Sequence, residues 1–205
     1  MPAALGPRKA PRQRRATHTV DAILEAAALV LEEEGLEGFN TNAIARRAGA
    51  SIGSLYQYFP SKDALTLALL QREEAKAHAD AAAAAALPAC REALAAFIDA
   101  GVRQQLTRPN LARLLDQEED RAEIRAAMDG KSGFAELLQT ALDKPDAPAA
   151  LRDPARRNVA AADLFIIIRG LVDAAGQRGE RDVADLALRV QAAAFGYLHR
   201  IGGFI

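Results

Sequence analysis

Apolar side chains recur at intervals of three and four residues through most of this chain, and that spacing confines it to helices. Val20, Ile23, Leu24, Ala27, Val30 and Leu31 fall on one helical face, and later segments repeat the pattern. Ala and Leu, both strong helix formers, are abundant, whereas β-branched residues are too scattered to build strands. The expected fold is all-α. With 205 residues, half of them hydrophobic, the chain can bury a sizeable core, as one large domain or as a small domain joined to a larger one.

Glycine, proline and capping residues divide the helices. Gly35 can end the first in a left-handed conformation. Asn40 or Thr41 can cap a second over Asn42–Ala48, and Ser51 a third from Ile52 to about Tyr58. Ser61, behind Pro60, can cap a fourth from Lys62 to about Ala86. Further helices are expected over Pro88–Leu106, from Pro109, and over Asp120–Leu142, then from Asp153-Pro154 to about Ala175 and from Asp182 to about Arg200. Pro145 and Pro148 make Asp143–Leu151 a loop.

The net charge of −1 does not point to nucleic acid, but its distribution does. The first twenty residues hold Arg8, Lys9, Arg12, Arg14 and Arg15 and no acid. Such an arm suits phosphate contact and equally suits a solvated tail. The single cysteine, Cys90, excludes an intrachain disulfide and fits a reducing compartment. No uncharged apolar run reaches membrane-spanning length and no apolar signal core opens the chain, so a cytoplasmic protein without a membrane partner is expected. His18, His78 and His199 lack metal-ligand spacing to one another or to Cys90. A nucleophile elbow, a phosphate-binding glycine loop and a dinucleotide fingerprint are all missing from the sequence. Neither enzyme activity nor a cofactor nor a metal is expected.

The second and third helices, joined by Ala48-Gly49-Ala50, match helix-turn-helix organisation. Gly49 supplies the positive φ of a sharp turn, and the small Ala45 and Ala48 let the helices approach. Ser51, Gly53 and Ser54 leave the opening of the third helix slim enough for a major groove. Gln57 can reach base edges, and Tyr56 and Tyr58 offer hydroxyls.

One stretch carries Ile23-Leu24-x-Ala26-Ala27, Gly35, Thr41, Ile44-Ala45, Ala48-Gly49-Ala50-Ser51, Gly53-Ser54-Leu55-Tyr56-Gln57-Tyr58-Phe59 and Ser61-Lys62-x-x-Leu65. It resembles the tetracycline-repressor-like (TetR/AcrR) family over about residues 17–66, with Ala50 and Ser54 where that family often has Val and Thr. The resemblance implies a ligand-responsive transcriptional regulator, most often a repressor, with double-stranded operator DNA as partner. It implies a flexible basic arm over residues 1–16, a helix-turn-helix DNA-binding domain over 17–64 and a helical effector-binding and dimerisation domain over 65–205. Thr41 is implied at phosphate, Ser51, Ile52, Gly53, Ser54, Tyr56 and Gln57 at the groove, and Tyr58 and Lys62 again at phosphate. Tyr56 packed on the first helix and Lys62 solvated are the plain alternatives. Arg46 and Arg47 read as a solvated face, with Arg46 in reach of the DNA backbone.

The family forms homodimers through its last two helices. Val159, Phe165, Ile166, Ile168, Leu171 and Val172 make the late helix apolar round much of its circumference, and Val183, Leu186, Val190, Ala194 and Tyr197 supply the last one. The implied effector is small and apolar or amphipathic. Phe97, Leu106, Leu111, Leu115, Met128, Phe134, Leu138 and Phe165 are candidates to line its site, and each also suits an ordinary core. Asp163 and Arg169 suit a polar ligand group, a pairing in the dimer, or solvent. Cys90 reads as a buried inert thiol rather than a redox sensor. The competing reading is a helical interaction module that does not bind DNA, and the basic arm and the third-helix pattern argue against it.

Overall fold

The computed structural model describes residues 14–119, 121–127 and 133–202. Arg8, Lys9, Arg12 and Met128 lie outside the described residues, as do the side chains of Arg14 and Arg15. Among the described residues every regular element is helical: α1 (Arg14–Gly38), α2 (Thr41–Arg47), α3 (Ile52–Tyr58), α4 (Lys62–Ala85), α5 (Cys90–Thr107), α6 (Pro109–Glu119), α7 (Ala122–Ala127), α8 (Phe134–Leu142), a 3₁₀ turn (Ala149–Arg152), α9 (Pro154–Gln177) and α10 (Val183–Gly202). They gather into two compact units. One combines the described parts of Met1–Glu73 and Asn110–Lys131, and the other those of Glu74–Pro109 and Ser132–Ile205.

In the first unit, Ile23, Ala27, Val30 and Leu31 of α1 meet Ile44 of α2, Leu55 of α3, Phe59, and Leu65 and Leu69 of α4 in one core. Gly35 is left-handed as expected (φ 67°), but the helix resumes beyond it to Gly38, so the glycine kinks α1 instead of ending it. Leu111, Leu114 and Leu115 of α6 and Ile124 of α7 complete the same core. Polar ties hold that segment in place. The Glu32 carboxylate accepts the Leu111 backbone N–H at 2.6 Å. Arg121 donates to Asp63 and to Glu118 at 2.9 and 2.8 Å.

The second unit packs α5 against α8, α9 and α10. Leu94, Ile98 and Val102 meet Leu138 and Leu142, Leu164 and Ile168, and Val190 and Leu198. Asp146, from the loop after α8, accepts the Cys90 backbone N–H at 2.8 and 3.0 Å and so serves the first turn of α5. Asp153 caps α9 through the Ala155 N–H at 3.0 Å, ahead of Pro154.

The expected helix over residues 120–142 needs correction. Asp120–Leu142 is not one helix: α7 stops at Ala127, and Gly133 takes a left-handed conformation (φ 68°) immediately before α8. The apolar periodicity on both sides of the break has the same phase-insensitive look in sequence, whereas Gly130 and Gly133 carry the real signal. The choice between Asn40 and Thr41 as cap falls to Asn40, whose side-chain oxygen accepts the Ala43 N–H at 2.9 Å. Thr41 is therefore the first residue of α2 and its hydroxyl is free for other work. Asn40→Ala is expected to lower unfolding stability by about 1 kcal/mol, while Thr41→Ala stays within about 0.5 kcal/mol of the parent; urea denaturation of both variants checks it.

Candidate nucleic-acid interface

The turn between α2 and α3 is built by the backbone. Ala48 ends α2, Gly49 takes φ 65°, and the two N–H groups that follow turn back on the helix. Ala50 N–H donates to Ala45 O at 3.0 Å and Gly49 N–H to Arg46 O at 3.3 Å. That pair satisfies carbonyls of the last turn of α2 and needs a left-handed residue, Gly49, at the first of its two donors. Ser51 then opens α3, its hydroxyl accepting the Ser54 N–H at 3.0 Å and pairing with the Ser54 hydroxyl at 2.9 Å.

Burial sets which way α3 faces. Leu55 is fully buried and Phe59 nearly so, both in the core with Ile44. The opposite side is open: Ser51, Ile52, Gly53, Tyr56 and Gln57 are exposed, and Ser54 and Tyr58 half-buried. The hydroxyls of Thr41 and Tyr56 lie 3.1 Å apart in a hydrogen bond, so Tyr56 is held against α2 instead of packing on α1. Lys62 is exposed with its ammonium 5.1 Å from the centre of the Phe39 ring, a cation–π contact that leaves its charge at the surface. Arg47 is drawn into a two-pronged ion pair with Glu33 of α1 at 2.5 and 2.8 Å. Arg46 is exposed and makes no ion pair among the described residues. Of the nine residues expected at DNA, Ile52, Gly53, Ser54, Tyr56, Gln57 and Tyr58 lie on α3 and Ser51 caps it, Thr41 opens α2 and is tied to Tyr56, and Lys62 opens α4. The Thr41–Tyr56 bond is invisible in sequence, because the two residues lie fifteen apart on different helices.

Residues 23–69 match the model of the bacterial regulatory proteins of the tetR family. Over that segment, less than a quarter of the chain, it is similar to the tetR family. Curated relatives agree over this segment. The transcriptional repressor DrrR1 of Streptomyces coeruleorubidus is 37% identical over 65 residues, 32% of this chain and 24% of its own. The transcriptional repressor KstR of Rhodococcus jostii is 41% identical over 51 residues, 25% of this chain and 24% of its own. The chain thus spans about a quarter of the length of the curated relatives it matches. Solved structures cover far more. A TetR transcription regulator from Haloarcula marismortui gives a TM-score of 0.73 at 16% identity, over 91% of this chain and 99% of its own. The regulator FadR from Bacillus subtilis, solved in complex with stearoyl-CoA, gives 0.68 at 20% identity, over 85% and 96%. These likenesses show a shared fold. No helix among the described residues is long and apolar enough to cross a membrane.

The residues suggested for an effector site divide between the two units. Phe97, Leu106, Leu138, Phe134 and Phe165 belong to the core of the second unit. Leu111 and Leu115 instead pack in the first, with α1 and α4 residues. Sequence spacing on α6 showed a buried face but not which core it enters. Phe134 is the centre of an aromatic group: it stacks on Phe165 at 6.1 Å, meets Phe97 edge-on at 6.4 Å, and lies 5.7 Å from the His78 ring. His78, set aside in sequence for want of metal-ligand spacing, finds its place here. Asp163 accepts a 2.6 Å hydrogen bond from the Tyr197 hydroxyl, joining α9 to α10. Burial of that hydroxyl, then its bond to Asp163, pushes the Tyr197 pKa up to about 12. Arg169 forms an exposed ion pair with Asp173 at 3.2 Å.

Cys90 is fully buried at the start of α5. Burial first, and the nearby Asp146 carboxylate second, push its pKa up to about 11. A raised pKa means that folding favours the thiol, so this contribution is complete below the unfolded value near 9 and is lost as pH rises toward about 11. Since only the thiolate is nucleophilic, iodoacetamide at pH 8 is expected to leave native Cys90 unmodified while labelling it fully in urea. Labelling at equal rates in both states, followed by mass spectrometry, would refute the buried-thiol assignment.

Proposed function

We propose that this protein is a homodimeric transcriptional repressor of the tetR family that binds double-stranded operator DNA through α3 and releases it when a small apolar or amphipathic effector binds the helical body. The observation that carries the DNA reading is the outward face of α3, anchored from behind by Leu55 and built of side chains slim enough to enter a groove. Ile52, Gly53, Tyr56 and Gln57 meet bases, Ser51 and Ser54 flank them, and Thr41, Tyr58 and Lys62 meet phosphate. In this division of labour residues 17–64 read DNA, residues 65–205 bind effector and form the dimer, and the basic residues before α1 add phosphate contacts.

The last two helices support the dimer. Ile166 of α9 is 68% exposed and Leu188 of α10 67%, with Val159 and Ile201 also open. Ala162 and Gly170 on α9, and Ala192 and Gly196 on α10, continue the same exposed sides with small residues that allow close helix approach. Ala194, by contrast, is fully buried inside its own chain and forms no part of this face. The effector reading rests on the Phe97–Phe134–Phe165 group and on the acyl-CoA complex of the FadR relative, which shares the fold.

Gly53→Glu places bulk and negative charge against the duplex and is expected to abolish salt-sensitive binding to selected DNA while the dimer persists in sedimentation. Leu188→Glu buries an unpaired charge in the dimer and is expected to yield monomers at micromolar concentration, with DNA affinity falling because each half-site alone binds weakly. Gly53→Glu with parental affinity would overturn the DNA reading, and a monomeric parent would overturn the dimer. Effector release requires differential affinity, about 5.5 kcal/mol for a full switch. Acyl-CoAs that raise the melting temperature are therefore expected to lower DNA affinity; stabilisation with unchanged DNA affinity would remove the coupling.

A further inference from the structure

The exposed face of α3 offers little polar chemistry to a base. Ser51 and Ser54 satisfy each other and the first turn of the helix, with hydroxyls 2.9 Å apart and the Ser54 N–H donated to Ser51 at 3.0 Å. The Tyr56 hydroxyl is engaged by Thr41 at 3.1 Å. Gly53 has no side chain. Gln57 is exposed with no hydrogen-bond partner among the described residues, and suits an adenine edge. One turn before Tyr56 stands Ile52, 39% exposed although no polar atom tips its side chain. Hydrophobic residues scattered on a surface need no explanation alone. This one borders the exposed helix face of Gly53, Tyr56 and Gln57, at the edge nearer the buried Leu55.

We infer that Ile52 is a specificity-determining residue that reads the 5-methyl group of a thymine in each half-site of the operator. The inference rests on the DNA-binding reading above. In the major groove every base edge except the thymine methyl presents donors or acceptors. Guanine or cytosine opposite Ile52 would lose water from O6, N7 or N4 and gain no partner, which is costly. A thymine methyl gains burial against the isoleucine side chain instead. The side chain is β-branched and stiff in a helix, so little rotamer freedom is lost on contact. Specificity at this position then comes from a methyl group and at Gln57 from hydrogen bonds, and the half-site is A·T-rich under α3.

The test uses the full-length protein. The tightest duplex is selected from a random-sequence library and resynthesised with uracil in place of thymine, which removes the methyl groups and leaves every hydrogen-bonding edge intact. Burial of one methyl is worth about fourfold in affinity, so a two-half-site duplex is expected to weaken about fifteenfold. Ile52→Ala is expected to bind both duplexes alike, at or below the affinity of the parent for the uracil form, and Ile52→Val to retain most of the discrimination. Both variants should melt with the parent, since residue 52 is exposed. Equal binding of the two duplexes by the parent overturns the inference, as does a selected half-site without thymine. A thymine preference undiminished in Ile52→Ala assigns the methyl contact elsewhere and overturns it too. Failure to select any duplex with salt-sensitive binding is a different result, which removes the DNA reading itself.

Discussion

Leu55 is the anchor on which the rest of the first unit depends. A seven-residue helix is far too short to be stable alone, so α3 exists because the core holds it. Leu55 enters that core fully buried beside Ile44 and the α1 residues Ile23, Ala27 and Leu31, and Phe59 closes the far end. Because side chains one position apart on a helix point about 100° apart, fixing Leu55 inward fixes Gly53 and Gln57 outward and sets Ile52 and Tyr56 at the borders of that face. Removing the Leu55 side chain would cost the transfer energy of a buried leucine and a cavity, several kcal/mol, and would also free the rotation of the helix about its own axis. Orientation of the outward face of α3 and stability of the unit are therefore one property, set from behind by buried residues.

The charge pattern serves the same end. The chain is nearly neutral overall, yet its acids and bases are not mixed evenly. Glu33 neutralises Arg47, and Arg121 is shared between Asp63 and Glu118, so these cations are occupied in holding α1 to α2 and α7 to α4. Exposed pairs of this kind contribute little stability each; their effect is to decide which cations stay available. Arg46 and Lys62 keep their charge at the surface on either side of α3. The outward face of α3 is thus flanked in sequence by exposed cations, which the proposed phosphate contacts would use.

What was legible in the sequence was punctuation. Ser51, Ser61, Asp153, Asp182 and Gly49 act where capping and turn chemistry puts them, because each works within four residues and leaves a local signature. The third helix and its outward residues followed from that. What was not legible is long-range. Periodicity shows that Leu111 and Leu115 are buried but not that they join α1 and α4, since that assignment depends on Glu32 meeting the α6 backbone across seventy-nine residues. Likewise Ala194 and Leu188 are both apolar positions on α10, and only the packing of α5 and α9 against that helix decides that the first is core and the second surface. The break before α8 was missed for a different reason: helical periodicity was weighed above glycine in a stretch where glycine wins.

The membership of α6 and α7 in the first unit also constrains how an effector could act. The chain passes from one compact unit to the other at 73–74, returns at 109–110, and leaves again at 131–132. On the effector reading proposed above, these three crossings, and not α4 alone, are the covalent links between the units. Two of these links end on elements whose polar ties run to α1 and to the first turn of α4, through Glu32 with Leu111 and Arg121 with Asp63. Those are the helices between which α2 and α3 are held. A shift of α6 that lengthened the Glu32 bond would expose an N–H that α6 itself cannot satisfy, because the first four N–H groups of any helix lack intrahelical partners.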